Sequence, residues 1–111
     1  MTDAFIAFCT CPDMEVGHSL AKTLVTEQWA ACVNILPGIQ SVYVWDGSLC
    51  TDDEVLLIIK TTNHKWSGLQ ERVKTLHPYE CPELIRLPIE DGLPDYLAWL
   101  QAQTSSNATT V

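Results

Sequence analysis

Ile39-Gln40-Ser41-Val42-Tyr43-Val44-Trp45-Asp46-Gly47-Ser48-Leu49-Cys50-Thr51-Asp52-Asp53-Glu54-Val55-Leu56-Leu57-Ile58-Ile59-Lys60-Thr61 is the stretch on which the fold turns. Asp46-Gly47 supplies two residues that tolerate the positive φ of a type I′ turn, so the chain reverses there. Before the turn, Ile39, Val42, Tyr43, Val44 and Trp45 are strand formers. After it, a return strand runs from about Leu49 to Thr61, and Val55 to Ile59 reads as a run buried on both faces. A further strand, Ala31 to Leu36, leads into the hairpin across Pro37-Gly38. Pro37 cannot donate a ladder hydrogen bond, and Gly38 suits a bulge or kink. Each arm is more than twice the ordinary strand of about 5–6 residues. The far end of such a hairpin extends past a small domain and exposes backbone edges and aromatics. An edge of that kind must be covered or paired, and a second copy of the chain is the simplest cover.

Outward from the hairpin the elements alternate. Ala4 to Cys11 is almost wholly apolar and is stopped by Pro12, as for a central strand covered on both sides. Asp13 is placed to cap a helix in which Val16, Leu20 and Leu24 fall four apart, fading near Gln28. Past the hairpin, Asn63 is a candidate cap for a second helix carrying Trp66, Leu69, Val73 and Leu76 on one face. His77-Pro78 ends it, because a residue before proline avoids helical angles. Leu84 to Ile89 is a fourth strand. Pro94 opens a third helix at a position that needs no amide hydrogen, with Tyr96, Leu97 and Leu100 expected inward. The order strand–helix–strand–strand–helix–strand, plus a terminal helix, is the α+β split-βαβ or ferredoxin-like order. One domain is expected over residues 1–103, with 104–111 as a disordered tail.

Composition narrows the function. The 111 residues are 47% apolar and 18% charged, which suits a folded domain. Six Lys and Arg face 14 Asp and Glu, for a net charge of -8. Without a basic cluster, neither nucleic acid nor an anionic membrane is an expected partner. Nor is there a basic leader or an apolar run of membrane-spanning length. Five cysteines (Cys9, Cys11, Cys32, Cys50, Cys81) leave one over in any all-disulfide scheme and are read as free thiols in a reducing compartment.

Several short segments together carry a resemblance. They are Thr10-Cys11-Pro12-Asp13, Ala30-Ala31-Cys32-Val33-Asn34 leading to Pro37-Gly38, Trp45-Asp46-Gly47, and Lys60-Thr61-Thr62. His77-Pro78-Tyr79-Glu80-Cys81-Pro82-Glu83 and Tyr96-Leu97-Ala98-Trp99-Leu100 complete the set. In order and spacing over about residues 4–101 they resemble the CutA family. The resemblance implies a ferredoxin-like homotrimer, similar in architecture to the PII signal-transduction proteins. It also implies a cytoplasmic protein linked to tolerance of copper and other divalent metal ions. Cys9 matches a cysteine proposed as a copper ligand in bacterial relatives.

Two sets of residues could carry chemistry. Cys9 and Cys11 share one face of a strand, and paired soft thiolates suit copper(I) or zinc; as small buried residues they would serve packing alone. His77 offers an imidazole, or else caps its helix. Leu76 precedes it where some relatives have a second histidine, so this chain supplies one imidazole there. Trp45, Lys60, Tyr79, Glu80 and Glu83 could line a cleft between subunits, either as a small-ligand or ion pocket or as interface contacts. No phosphate loop, CxxC pair or Ser-His-Asp pattern is present, and no activated nucleophile–base pair, so a non-enzyme is expected. The reading is therefore a trimeric protein of metal-ion tolerance that binds copper weakly. The alternative is a PII-like signalling or scaffold module that binds a small molecule at subunit interfaces.

Overall fold

The computed structural model describes residues 2–105. Strand β1 (Ala4–Cys11) leads to helix α1 (Met14–Thr26), then to β2 (Cys32–Trp45) and β3 (Ser48–Thr62). A single 3₁₀ turn (Asn63–Lys65) precedes α2 (Trp66–Leu76), β4 (Ile85–Pro88) and α3 (Pro94–Ser105). The four strands form one antiparallel sheet in the order β2-β3-β1-β4. This is the expected ferredoxin-like arrangement, with β1 and β3 central.

Local chemistry explains most boundaries. The Asp13 carboxylate accepts the Val16 N–H at 2.9 Å and starts α1. Asp46 (φ 51°) and Gly47 (φ 77°) make the left-handed pair of the hairpin turn. Pro37-Gly38 does not break β2. Leu36 pairs with Leu56 and Ile39 with Glu54, so three steps on β2 match two on β3. That is a β-bulge, with Gly38 at φ 79°.

Asn63 does not cap α2. It is the first residue of the 3₁₀ turn, and its N–H donates to the Asp3 carbonyl at 2.9 Å. Helix α3 extends into the segment expected to be tail. Thr104 is fully buried and hydrogen-bonds the Thr62 hydroxyl at 2.8 Å, while its carbonyl meets the His64 imidazole at 3.0 Å. The rest of that expected tail, 106–111, lies outside the described residues. Tyr96 was expected inward but is 41% exposed, because only Leu100 and Thr104 of α3 are fully buried.

The sheet has two unequal faces. On one, Phe5, Ala7, Cys9 and Cys11 of β1 and Val55, Leu57 and Ile59 of β3 pack beneath Leu20 and Leu24 of α1 and Leu69 and Val73 of α2. Each such aliphatic burial contributes about 1.5–3 kcal/mol. On the other face, α3 covers one end only, through Leu100 against Ala4 and Ala31. Ile6, Phe8, Leu56 and Ile58 stay half-buried there, and Leu36, Ile85 and Leu87 are about half exposed.

Candidate metal centre and adjoining cleft

Alternation along β1 aims the Cys9 and Cys11 side chains to the helix-covered face, where both are fully buried. His77 follows α2 in extended backbone, as a residue before Pro78 must, and its N–H closes the helix on Val73 at 2.9 Å. The imidazole does not bond the last helical carbonyls. It turns toward β1, so the two sulfurs and one ring nitrogen lie within 4.8 Å of one another. No other Cys, His, Asp or Glu among the described residues joins this cluster.

Both nitrogens of His77 are engaged. Nε2 lies 2.8 Å from the Thr10 carbonyl, and Nδ1 accepts the Tyr79 N–H at 3.1 Å. A carbonyl can only accept, so Nε2 carries the hydrogen and the ring is the neutral tautomer. The two thiols share a hydrogen bond. The hydrogen bond with Cys11, and then burial, push the Cys9 thiol up from its ordinary value. The same hydrogen bond, donated by Cys9, lowers Cys11, so any thiolate of the pair belongs to Cys11. Two sulfurs and an imidazole are a soft donor set that fits copper(I) or zinc. An ion held by His77 must replace one of its two hydrogen bonds.

Around the edge of β1 the 77–83 loop crosses to the open face. Tyr79 is fixed there by its hydroxyl, which donates to the Glu54 carboxylate at 2.6 Å, and by its ring, 4.7 Å from that of His77. Tyr43, Trp45, Tyr79, Glu80 and Cys81 line a cavity of about 240 Å³. An adjoining groove shares Tyr43, Tyr79 and Cys81 and adds Thr10, Ser41, Glu54 and Glu83. Trp45, Tyr79, Glu80 and Glu83 are thus brought together. Lys60 is not. It pairs with Cys32 at the far end of the sheet, with its Nζ 5.9 Å from the Tyr96 ring. Tyr43 and Glu54 were not picked out from the sequence. The available signal was the alternation that puts Tyr43 beside Trp45. Glu54 looked like the solvated start of an apolar run.

Comparison with known proteins gives a consistent result. Residues 5–103 match the family described as CutA1 divalent ion tolerance protein. The divalent-cation tolerance protein CutA of Thermus thermophilus is 50% identical, over 89% of this chain and 96% of its own length. The CutA homolog of Xenopus laevis is 51% identical over 85% of this chain, which spans 62% of that protein's length. The solved structure of the Thermus thermophilus protein superposes with a TM-score of 0.89 at 48% identity, covering 91% of this chain and 98% of that one. With the sheet order, the buried strand and the hairpin in agreement, the chain belongs to the CutA1 divalent ion tolerance family.

Proposed function

We propose that this chain is a non-enzymatic, cytoplasmic homotrimer that serves tolerance of divalent metal ions and binds copper weakly at Cys9 and His77, with Cys11 as third ligand. The observation that carries this reading is the convergence of two buried thiols and one imidazole within 4.8 Å. Three ligands from one chain fall short of the four of a closed structural zinc site. Giving up a hydrogen bond of His77 costs about 0.5–1.5 kcal/mol more. Both facts argue for a weak site. The engaged imidazole also argues against a thiol–base pair, since neither ring nitrogen is free to take a proton from a thiol. Free cysteines at all five positions support a reducing compartment.

The trimer is supported by the half-covered sheet face and by the outer edge of β2, which has no strand beside it. Copper titration by calorimetry under reducing conditions tests the site, on the parent, Cys9→Ser and His77→Ala, each confirmed trimeric. Affinity should fall at least tenfold in each variant, magnesium should bind none of them, and binding should weaken as protons compete at low pH. Parent-like copper binding in both variants would make these residues structural.

One observation favours the second reading, a PII-like module with a ligand between subunits. The cleft of Trp45, Tyr79 and Glu80 opens on the side of the sheet that a trimer would cover, so a neighbouring copy would border it.

A further inference from the structure

The cleft beside the hairpin has a chemistry of its own, independent of the thiol–imidazole cluster. Three of its walls are aromatic: Tyr43, Trp45 and Tyr79. By register, Ser41 and Tyr43 lie on the same face of the hairpin as Asp52 and Glu54, and Glu54 lines the adjoining groove, which shares Tyr43 and Tyr79 with the cleft. Tyr43 hydrogen-bonds Asp52, and Tyr79 hydrogen-bonds Glu54. Each phenol is therefore held by an acid. The Asp52 carboxylate pushes Tyr43 up to about 12, and burial followed by the Glu54 bond raises Tyr79 further. The rings stay neutral at any working pH.

Glu54 is the unusual member. It is only 8% exposed, and a neutral phenol is its hydrogen-bond partner. Among the described residues the ion pair is Arg72–Glu27, remote from here, and no Lys or Arg lines the cleft or its adjoining groove. A carboxylate so far removed from water calls for a positive partner. A bare metal ion fits poorly. A hard cation wants six or more oxygens, and no three acidic groups here converge to ligating distance. An organic cation fits both features, because its charge meets the carboxylate while its body lies on the ring faces. The cavity, about 240 Å³, has room for roughly eight waters at about 30 Å³ each, enough for a side-chain-sized group. We infer that the cleft walled by Tyr43, Trp45 and Tyr79 takes an organic cation, an alkylammonium or guanidinium group, with Glu54 as its counter-charge. Tyr79 is already locked at hydroxyl, ring and backbone amide, so little ordering accompanies binding.

The test is calorimetric titration of the trimeric protein with L-arginine amide and n-butylammonium, against butyramide and butyrate. The parent should bind at least one of the cations and neither control. Glu54→Gln, which keeps the acceptor for Tyr79 but not the charge, should weaken binding at least tenfold. Because a buried position carries a folding risk, Tyr43→Leu at the exposed hairpin provides a second reading, with an expected loss of about 2- to 30-fold. Cys9→Ser should bind the cations like the parent, which separates this site from the metal centre. An acetyl-Gly-Arg-Gly-amide peptide that binds as well as arginine amide points to a protein side chain as the source. Binding of the free amide alone points to a small molecule, and either supports the site. A parent inert to all the cations, or variants that both bind like the parent, overturns the proposal. Filling of the cleft by a neighbouring copy would show as the inert parent and overturns it equally.

Discussion

At the scale of single residues, His77 shows how one side chain can be both ligand candidate and strut. Its Nε2–H satisfies the Thr10 carbonyl, near the end of β1 where β4 no longer runs alongside, and its Nδ1 holds the loop at Tyr79. His77→Ala leaves that carbonyl without its partner and opens a gap beside two sulfurs. We expect a loss of about 1–3 kcal/mol, read as a lower urea midpoint with unchanged slope. His77→Gln, with an amide that can still donate, should recover part of it. If alanine costs nothing in stability, the imidazole is not a strut. The sequence made the pairing of Cys9 and Cys11 legible, because alternation on a strand is rigid geometry. That His77 should reach them was open, since nothing in the spacing says which way a side chain turns after a helix ends. Glu54 stayed hidden for a related reason. Its hydrogen-bond partner is Tyr79, 25 residues on, and no local pattern announces such a contact.

At the scale of elements, the contact of the end of α1 with α2 is held by Trp29. Its indole N–H donates to Glu27 at 3.1 Å, Glu27 takes the Arg72 guanidinium through two bonds of 2.7 and 2.8 Å, and the Lys65 ammonium lies 5.3 Å from the ring centre. Gly68 leaves room for the ring: a Cβ there would stand 2.1 Å from it. Helix propensity alone says that Gly68→Ala gains about 1 kcal/mol. We expect the opposite sign, a loss of about 1–3 kcal/mol from overpacking, measured by urea denaturation. A stabilised variant would show that Trp29 moves aside freely.

The order of strands and α-helices was legible, because the Asp46-Gly47 turn, the Asp13 cap and Pro94 each have one cheap conformational solution. The misses lie where tertiary contacts decide. Asn63 follows a strand and resembles a cap, yet the chain takes a 3₁₀ turn first, anchored on Asp3. Tyr96 belongs to a helix apolar on several sides, so its pattern could not say which side meets the sheet. The expected tail began too early because Thr104, a polar residue, is buried through the hydroxyl of Thr62.

For the whole molecule, the decisive feature is the half-covered sheet. Ile6, Phe8, Leu56 and Ile58 are sheltered only in part, while Ile85 and Leu87 are 55% and 51% exposed on the edge strand β4. A face of this kind marks an interaction surface, on a chain whose extents are 44 × 31 × 22 Å. Light scattering at low micromolar concentration should give about three times the 12.4 kDa chain mass. Ile85→Glu adds a charge where the single chain is already wet, so the fold should persist while the assembly weakens at least tenfold. Parent-like assembly in that variant would remove β4 from the contact. The length of the hairpin arms was legible in the strand formers on either side of Asp46-Gly47. Within one chain Lys60 lies toward the other end of β3 from Glu54, so it does not meet the 77–83 loop of the same copy.

The bulge at Pro37-Gly38 sets a parity. Below it the even-numbered residues Cys32, Asn34 and Leu36 point to the open face. Above it the odd-numbered Ile39, Ser41, Tyr43 and Trp45 do so. One inserted residue thus exchanges odd for even along the outer half of β2. With the turn at Asp46-Gly47 fixed, removing Gly38 would force one half of the strand to roll over. Either the inner half offers Val33 and Ile35 to water, or the outer half presents Val42 and Val44 where Tyr43 and Trp45 now stand. The aromatic wall of the cleft is therefore written in a count of residues as much as in their identity.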